Sequence, residues 1–397
     1  MFSYESPHRS RTDARRPRGR HRAAEAPVGA PAPTTSADGT ARPPARPPVE
    51  LIGTPRGNWL TRGRDGRLTA YATGPKGLLR WTEGTPWEPA WSGPRHFPVP
   101  GLTDASIAQG PLGHVHVAGR RTPGSDPESV DVVHAVQYQT GRPFTRWRSL
   151  GAVSRRALRP RLGVPLVGVD ATGAAHVFLR NGGGGVSTRR DSPRDGWLPW
   201  QDLGGRDVQA RLASWSTGRG GVGVLAPAAD GALCWAQGAD DAHVTREDPV
   251  DGIAAPAEVT ALCSVTGGPV CLWSAPDRDG VLLRTDTGRV VELGGAPDGG
   301  PVAALWLPGD GERLALACRG RDGTLLVGVC DTAVSETAGG GPAAAWAAYD
   351  VGPFVGAPAL ARADGGRVAL AVVAPTGPLL AREFAEEFPG RLEFTAI

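Results

Sequence analysis

The chain is 397 residues long with a formal net charge of +3, and it holds 57 Gly and 38 Pro, about twice average usage. Its 12 Trp outnumber 8 Phe, 4 Tyr and a single Met. So much Gly and Pro excludes a helical bundle or coiled coil and favours short elements joined by tight turns, and no run of 18 apolar residues exists to span a membrane.

The charge is uneven. Residues 1–50 carry nine Arg, including Arg9, Arg15, Arg16 and Arg22, against five acids, whereas the rest is close to neutral. Residues 1–48 lack large apolar side chains after Arg9 and contain runs such as Ala41-Arg42-Pro43-Pro44. Such a segment cannot offset the roughly 1–2 kcal/mol per residue of backbone entropy lost on ordering. It is predicted to be a disordered tether, with its arginines available to an anionic surface. No apolar segment follows Arg15-Arg16 and no secretory signal is visible, which predicts a cytoplasmic protein, with non-classical export left open.

From residue 49 onward a unit recurs: a short apolar strand, a Gly turn, two more strands, then an aromatic stretch closing near Leu-Gly-Gly. In the first unit these are Asn58–Thr61, Arg67–Tyr71 and Leu78–Trp81, with turns at Asp65-Gly66 and Lys76-Gly77, followed by Trp87 and Trp91. The second contains His114–Val117, Val132–Val136 and Phe144–Gly151, and the third contains Pro165–Val169, Ala175–Leu179 and the close Trp197-Leu198-Pro199-Trp200-Gln201-Asp202-Leu203-Gly204-Gly205. Later units are fainter. Asp230-Gly231, Asp279-Gly280 and Asp322-Gly323 mark hairpins in the fourth to sixth, and Arg367–Val373 with Pro378–Ala381 marks the seventh.

Seven units over 51–397 give roughly 50 residues each, the size and strand content of a propeller blade. The predicted fold is all-β: a seven-bladed β-propeller over 49–397, with blades near 54–100, 101–152, 153–206, 207–254, 255–296, 297–352 and 353–397. A buried Trp removes about 150–250 Å² from water, worth roughly 4–6 kcal/mol gross, so the Trp repeat has a packing reason first. Val49–Gly53 echoes Val291–Gly295 and is expected to close the ring beside the last blade, near Arg391–Phe394.

The unit, Asp-Gly, strand ending in Trp, then Trp-x-x-Trp-x-x-Leu-Gly-Gly, resembles the seven-bladed lectins of the Photorhabdus lectin (PLL) family. The resemblance rests on Asp65 through Trp81 with Trp87 and Trp91, on Phe144 through Gly151, and on Trp197, Trp200, Leu203, Gly204 and Gly205. It implies sugar sites between blades.

A sugar stacks its C–H face on Trp while Arg or Asp meets its hydroxyls. Candidate ligand-binding residues are therefore Arg80 with Trp81 and Trp87, Arg146 with Trp147, and Trp197 with Trp200 and Asp202. Inter-blade packing is the competing role for each Trp. His114 and His116 share a strand face and His176 aligns with His116, a conceivable metal set; without a nearby carboxylate or Cys, hydrogen-bonded histidines between blades fit better. The Asp-Gly turns lack the flanking Ser and Trp of sialidase Asp boxes, and Glu386-Glu387 lies in a polar connection. No catalytic constellation, metal or cofactor is expected. The five scattered Cys, each in an apolar run, read as buried reduced thiols.

The function expected from the sequence is thus a non-enzymatic, lectin-like protein binding glycans or small polar ligands between blades, a monomer or weak oligomer with no specific nucleic-acid partner. The alternative is a cytoplasmic interaction scaffold that docks a protein partner on a propeller face, with the basic tail as tether.

Overall fold

The computed structural model describes residues 49–397, apart from 125, 152, 193, 239–242, 254–257, 275–279, 310–312 and 333–343. The expected tail over 1–48 lies outside the described residues, as does Asp279 of one expected turn.

Among the described residues the chain forms seven sheets, each with four antiparallel strands taken in chain order; two of the sheets gain a further short strand. The fold is the all-β, seven-bladed propeller. In blade 1 the strands are Leu60–Arg62, Leu68–Gly74, Gly77–Glu83 and Trp91–Pro98. The innermost strands of blades 2 to 7 are Leu102–Gln109, Leu166–Val169, Ala213–Ser216, Thr260–Cys263, Ala303–Trp306 and Val355–Arg362. They pack one against the next from blade 2 round to blade 7, and blade 7 then packs on the inner strand of blade 1.

The middle strands explain the composition. Every residue of Gly77–Glu83 is buried, as are seven of the eight in Arg367–Ala374, because a neighbouring blade covers each face. After Arg367 the second reads as a continuous apolar run, whereas the first also buries Arg80, Thr82 and Glu83. The rim strand Trp91–Pro98 buries only Phe97 and tolerates Arg95 and His96. Gly66 at the first hairpin has φ +81°, where a side chain would be strained.

Several blade junctions are tied by indole N–H bonds to the preceding blade. Trp200 donates to the Leu150 carbonyl at 2.9 Å, Trp235 to Leu203 at 3.1 Å and Trp346 to Leu293 at 2.8 Å. All three acceptors are the leucines of Leu-Gly closes. The glycines beyond them seat the ring: Gly205 has φ +82° and Gly295 φ +80°, and a Cβ on Gly295 would stand 3.1 Å from the Trp346 indole. Leu-Gly-Gly is therefore the docking end for the next blade's Trp.

The ring closes differently from the sequence expectation. Residues 49–53 meet blade 1: Ile52 N–H donates to the Thr73 carbonyl at 2.9 Å and Thr73 N–H to that of Gly53 at 2.8 Å. Blade 7 takes its fourth strand, Thr395–Ala396, from the C-terminus, paired with Leu379 and Leu380. That pairing closes a short loop, which loses less chain entropy than recruiting a strand over 300 residues away. The seam between blades 7 and 1 is sealed by Trp59 Nε1 on the Ala357 carbonyl, 2.9 Å, and Asn58 Nδ2 on that of Leu360, 2.8 Å.

One segment enters the axis of the ring. Arg56–Gly57 adds a parallel strand inside the inner strand of blade 2, pairing Arg56 with Ser106 and Gly57 with Ile107. From there Arg56 reaches Glu258, which precedes the inner strand of blade 5, at 3.4 Å; Arg211, preceding that of blade 4, binds the same carboxylate. Burial lowers the Arg56 pKa to about 10, so it stays charged at neutral pH. Gly57 permits the approach: its φ is +82°, and a Cβ there would lie 2.3 Å from the Ile107 carbonyl oxygen.

Candidate functional site

At the other end of the axis the inner strands finish around an open basin of about 340 Å³. Its wall comes from blades 1, 2, 6 and 7: Asn58, Leu60, Arg62 and Arg64, then Gln109 and Pro111, then Leu305, then Ala361 and Arg362. Asn58 is placed by its bond to Leu360, and its Oδ1 accepts the Leu60 N–H at 3.4 Å.

Gln109 ends the inner strand of blade 2 and bridges it to the inner strand of blade 1. Its Nε2 donates to the carbonyls of Arg62, 2.7 Å, and Gly113, 3.1 Å, while its Oε1 accepts the Arg62 N–H at 3.1 Å. Its amide is thereby used in positioning Arg62. Arg362 is held by Nε and Nη2 bonds to the Trp306 carbonyl, 3.1 and 3.0 Å. Leu305 and Ala361 supply apolar wall beside these cations. The arrangement can hold a small polar ligand that also carries a C–H face.

None of the eight residues nominated from the sequence lines this basin. Arg80 and Trp81 are 4% and 2% exposed, so neither presents a face to a ligand. The Arg80 guanidinium lies 5.1 Å over Phe97 and donates to the carbonyls of Gly141 and Arg142 in blade 2. Trp87 is half-buried at the seam, with Arg367 4.6 Å and Arg382 5.3 Å over its ring. Its φ of +75° is unusual for a bulky residue and is held by a 2.8 Å N–H bond to the Glu83 carboxylate, which also pairs with Arg382.

Trp147 packs half-buried against the core shared by blades 1, 2 and 7, beside Phe144, while Arg146 is exposed. Trp197 sets its edge 4.8 Å from His134, Trp200 is bonded to Leu150, and the Asp202 carboxylate caps its own turn through Gly204 N–H at 3.0 Å and Asn181 at 3.3 Å. The structure thus distributes these residues over blade junctions and gives most of them packing partners. The basin was missed because its residues are common types on weak strands. The one signal in the sequence is Arg62-Gly-Arg64 just before the first Asp-Gly turn.

The histidines also separate. His116 Nδ1 and His134 Nε2 are 3.2 Å apart in the blade 2 interior, and burial lowers their pKa values to about 4 and about 3. His114 instead packs edge-on to Tyr138 at 4.9 Å, and His176 meets Asp170 at 3.3 Å. The five Cys form no disulfide; burial raises Cys234, Cys271 and Cys318 to about 12, which makes them inert.

No family model matches the chain, and no curated protein does. Solved structures do. A polysaccharide lyase, a PL25 ulvan lyase bound to -[GlcA(1-4)Rha3S]-, superposes with a TM-score of 0.54 at 11% identity, covering 84% of this chain and 94% of that one. AofleA from Arthrobotrys oligospora gives 0.50 at 12% identity, covering 76% and 88%. A lectin from Aleuria aurantia in complex with alpha-methyl-L-fucoside gives 0.47 at 12%, covering 77% and 97%. At these identities the likeness concerns the fold. It overturns the expectation that this chain is not an enzyme: the same ring carries lyases, so the absence of an Asp box does not exclude catalysis.

Proposed function

We propose that the chain is a carbohydrate-binding propeller and that its saccharide sits in the axial basin rather than between blades. The basin carries this reading: a solvent-open volume of about 340 Å³ that joins guanidinium groups and an Asn to an apolar wall. Sugars need both, polar groups for their hydroxyls and an apolar surface for their C–H faces. The fold is compatible, since the ulvan lyase that shares it is bound to a saccharide. The resemblance to the PLL lectins points to the same ligand class, while the bonded indoles of this chain turn the junction positions toward packing.

A glycan array probed with the full chain tests the reading. Binding to at least one saccharide is expected, with loss of that binding in Asn58→Ala/Arg64→Ala. An array without signal, or binding that survives both substitutions, would remove the basin as a sugar site.

A further inference from the structure

We infer that the saccharide taken by the basin is anionic, a carboxylate- or sulfate-bearing sugar whose charge is met by Arg64 and Arg362. The inference rests on the carbohydrate reading above and adds the charge class of the ligand.

Arg64 and Arg362, neither with a carboxylate partner among the described residues, line the basin beside Arg62, and no carboxylate lines it among the described residues. Elsewhere on the propeller a carboxylate stands against Arg67, Arg120, Arg121, Arg156, Arg211 and Arg382. The basin instead sets Arg64 and Arg362 around one open volume with no carboxylate in its lining among the described residues. Arrangements of this sign concentrate field within a concave surface and attract anions.

The two outer arginines are also set for the task. Arg64 is exposed and has no ion-pair partner among the described residues, yet its stem is seated, since a Cβ on Gly113 would lie 2.7 Å from Arg64 Cγ. Arg362 spends Nε and Nη2 on the Trp306 carbonyl, which fixes its plane without neutralising it. A carbonyl leaves the full positive charge in place. A guanidinium so held offers planar N–H donors to a carboxylate or sulfate oxygen, and charge-assisted bonds of this kind are about twice as strong as neutral ones. Asn58 and the wall of Leu305 and Ala361 remain for the neutral part of the ring.

The test is titration calorimetry on the full chain with three probes: tetragalacturonate, its fully methyl-esterified form, and a sulfated carrageenan tetrasaccharide that has no carboxylate. The wild type should bind at least one acidic probe about tenfold more tightly than the ester, with affinity falling as salt rises. Arg64→Gln should remove most of that preference while leaving the melting temperature unchanged. Preference for tetragalacturonate assigns a carboxylate ligand and preference for the carrageenan fragment a sulfated one; both support the inference. Equal binding of the ester and the acids, unchanged in Arg64→Gln, would overturn the charge inference and leave the carbohydrate reading standing. No binding of any probe, with a silent glycan array, would overturn both.

Discussion

The two ends of the ring axis use the same residue type for opposite purposes. At the closed end, Arg56 arrives on an inserted strand, is largely buried, and shares Glu258 with Arg211. At the open end, Arg64 and Arg362 stand around solvent with no carboxylate between them among the described residues. A guanidinium taken out of water needs compensation, a counter-charge as at Arg56 or carbonyls as at Arg80, because an uncompensated buried ion is destabilising by several kcal/mol. An exposed one does not, and is therefore free to meet a ligand. One end holds the ring together and the other offers a site.

The comparison breaks most visibly at Gly57. Gly57→Ala places a side chain at φ +82° and within 2.3 Å of the Ile107 carbonyl oxygen. A loss of about 3 kcal/mol or more is expected, seen as a large drop in the urea midpoint. Removing the counter-charge should be the next largest effect. Glu258→Ala leaves Arg56 and Arg211 facing each other, and because both pairs keep some solvent contact about 2 kcal/mol is expected rather than the full buried value. If Glu258→Ala melts with the wild type, the closed end is not held by charge.

Acid should weaken blade 2 without involving either end. The folded pKa values of His116 and His134, about 4 and about 3, lie below the ordinary imidazole value of 6.5. As pH falls, the unfolded chain takes up protons first, so this stabilisation is complete above about pH 6.5 and is lost progressively down to about pH 3. Urea midpoints at pH 7 and pH 4.5 should diverge in the wild type, and less in His116→Gln/His134→Gln. An unchanged divergence would place the acid sensitivity elsewhere. The smallest effect on stability belongs to the open end: Arg64→Ala should change the unfolding free energy by less than about 0.5 kcal/mol while removing the preference for acidic saccharides. A large stability loss there would erase the distinction between the two ends.

How much of this was legible in the sequence follows strand position. The middle strands, such as Arg367–Ala374, are covered on both faces, so most of their residues are apolar and the run stands out. Inner strands such as Ala213–Ser216 and Thr260–Cys263 are only four residues long and include polar residues, and the units fade there when read from sequence. The eight nominated residues were recognised as one chemistry, aromatic beside polar, but a blade junction and a sugar platform require the same side chains. Trp81 and Trp200 show the first use, buried or bonded to a neighbouring blade.

By itself the sequence determined the ring. A repeat of apolar runs, Gly turns and Leu-Gly-Gly closes specifies four short strands at a time, and those rules are local to each unit. Only the tertiary structure decided where the chain closes, since the partners of 49–57 lie in blades 1, 2 and 5 and no local pattern selects among them. The same holds for the basin. Asn58, Arg64, Gln109, Leu305 and Arg362 are scattered over some 300 residues, and they become one surface because the ring brings the ends of its inner strands to a common axis.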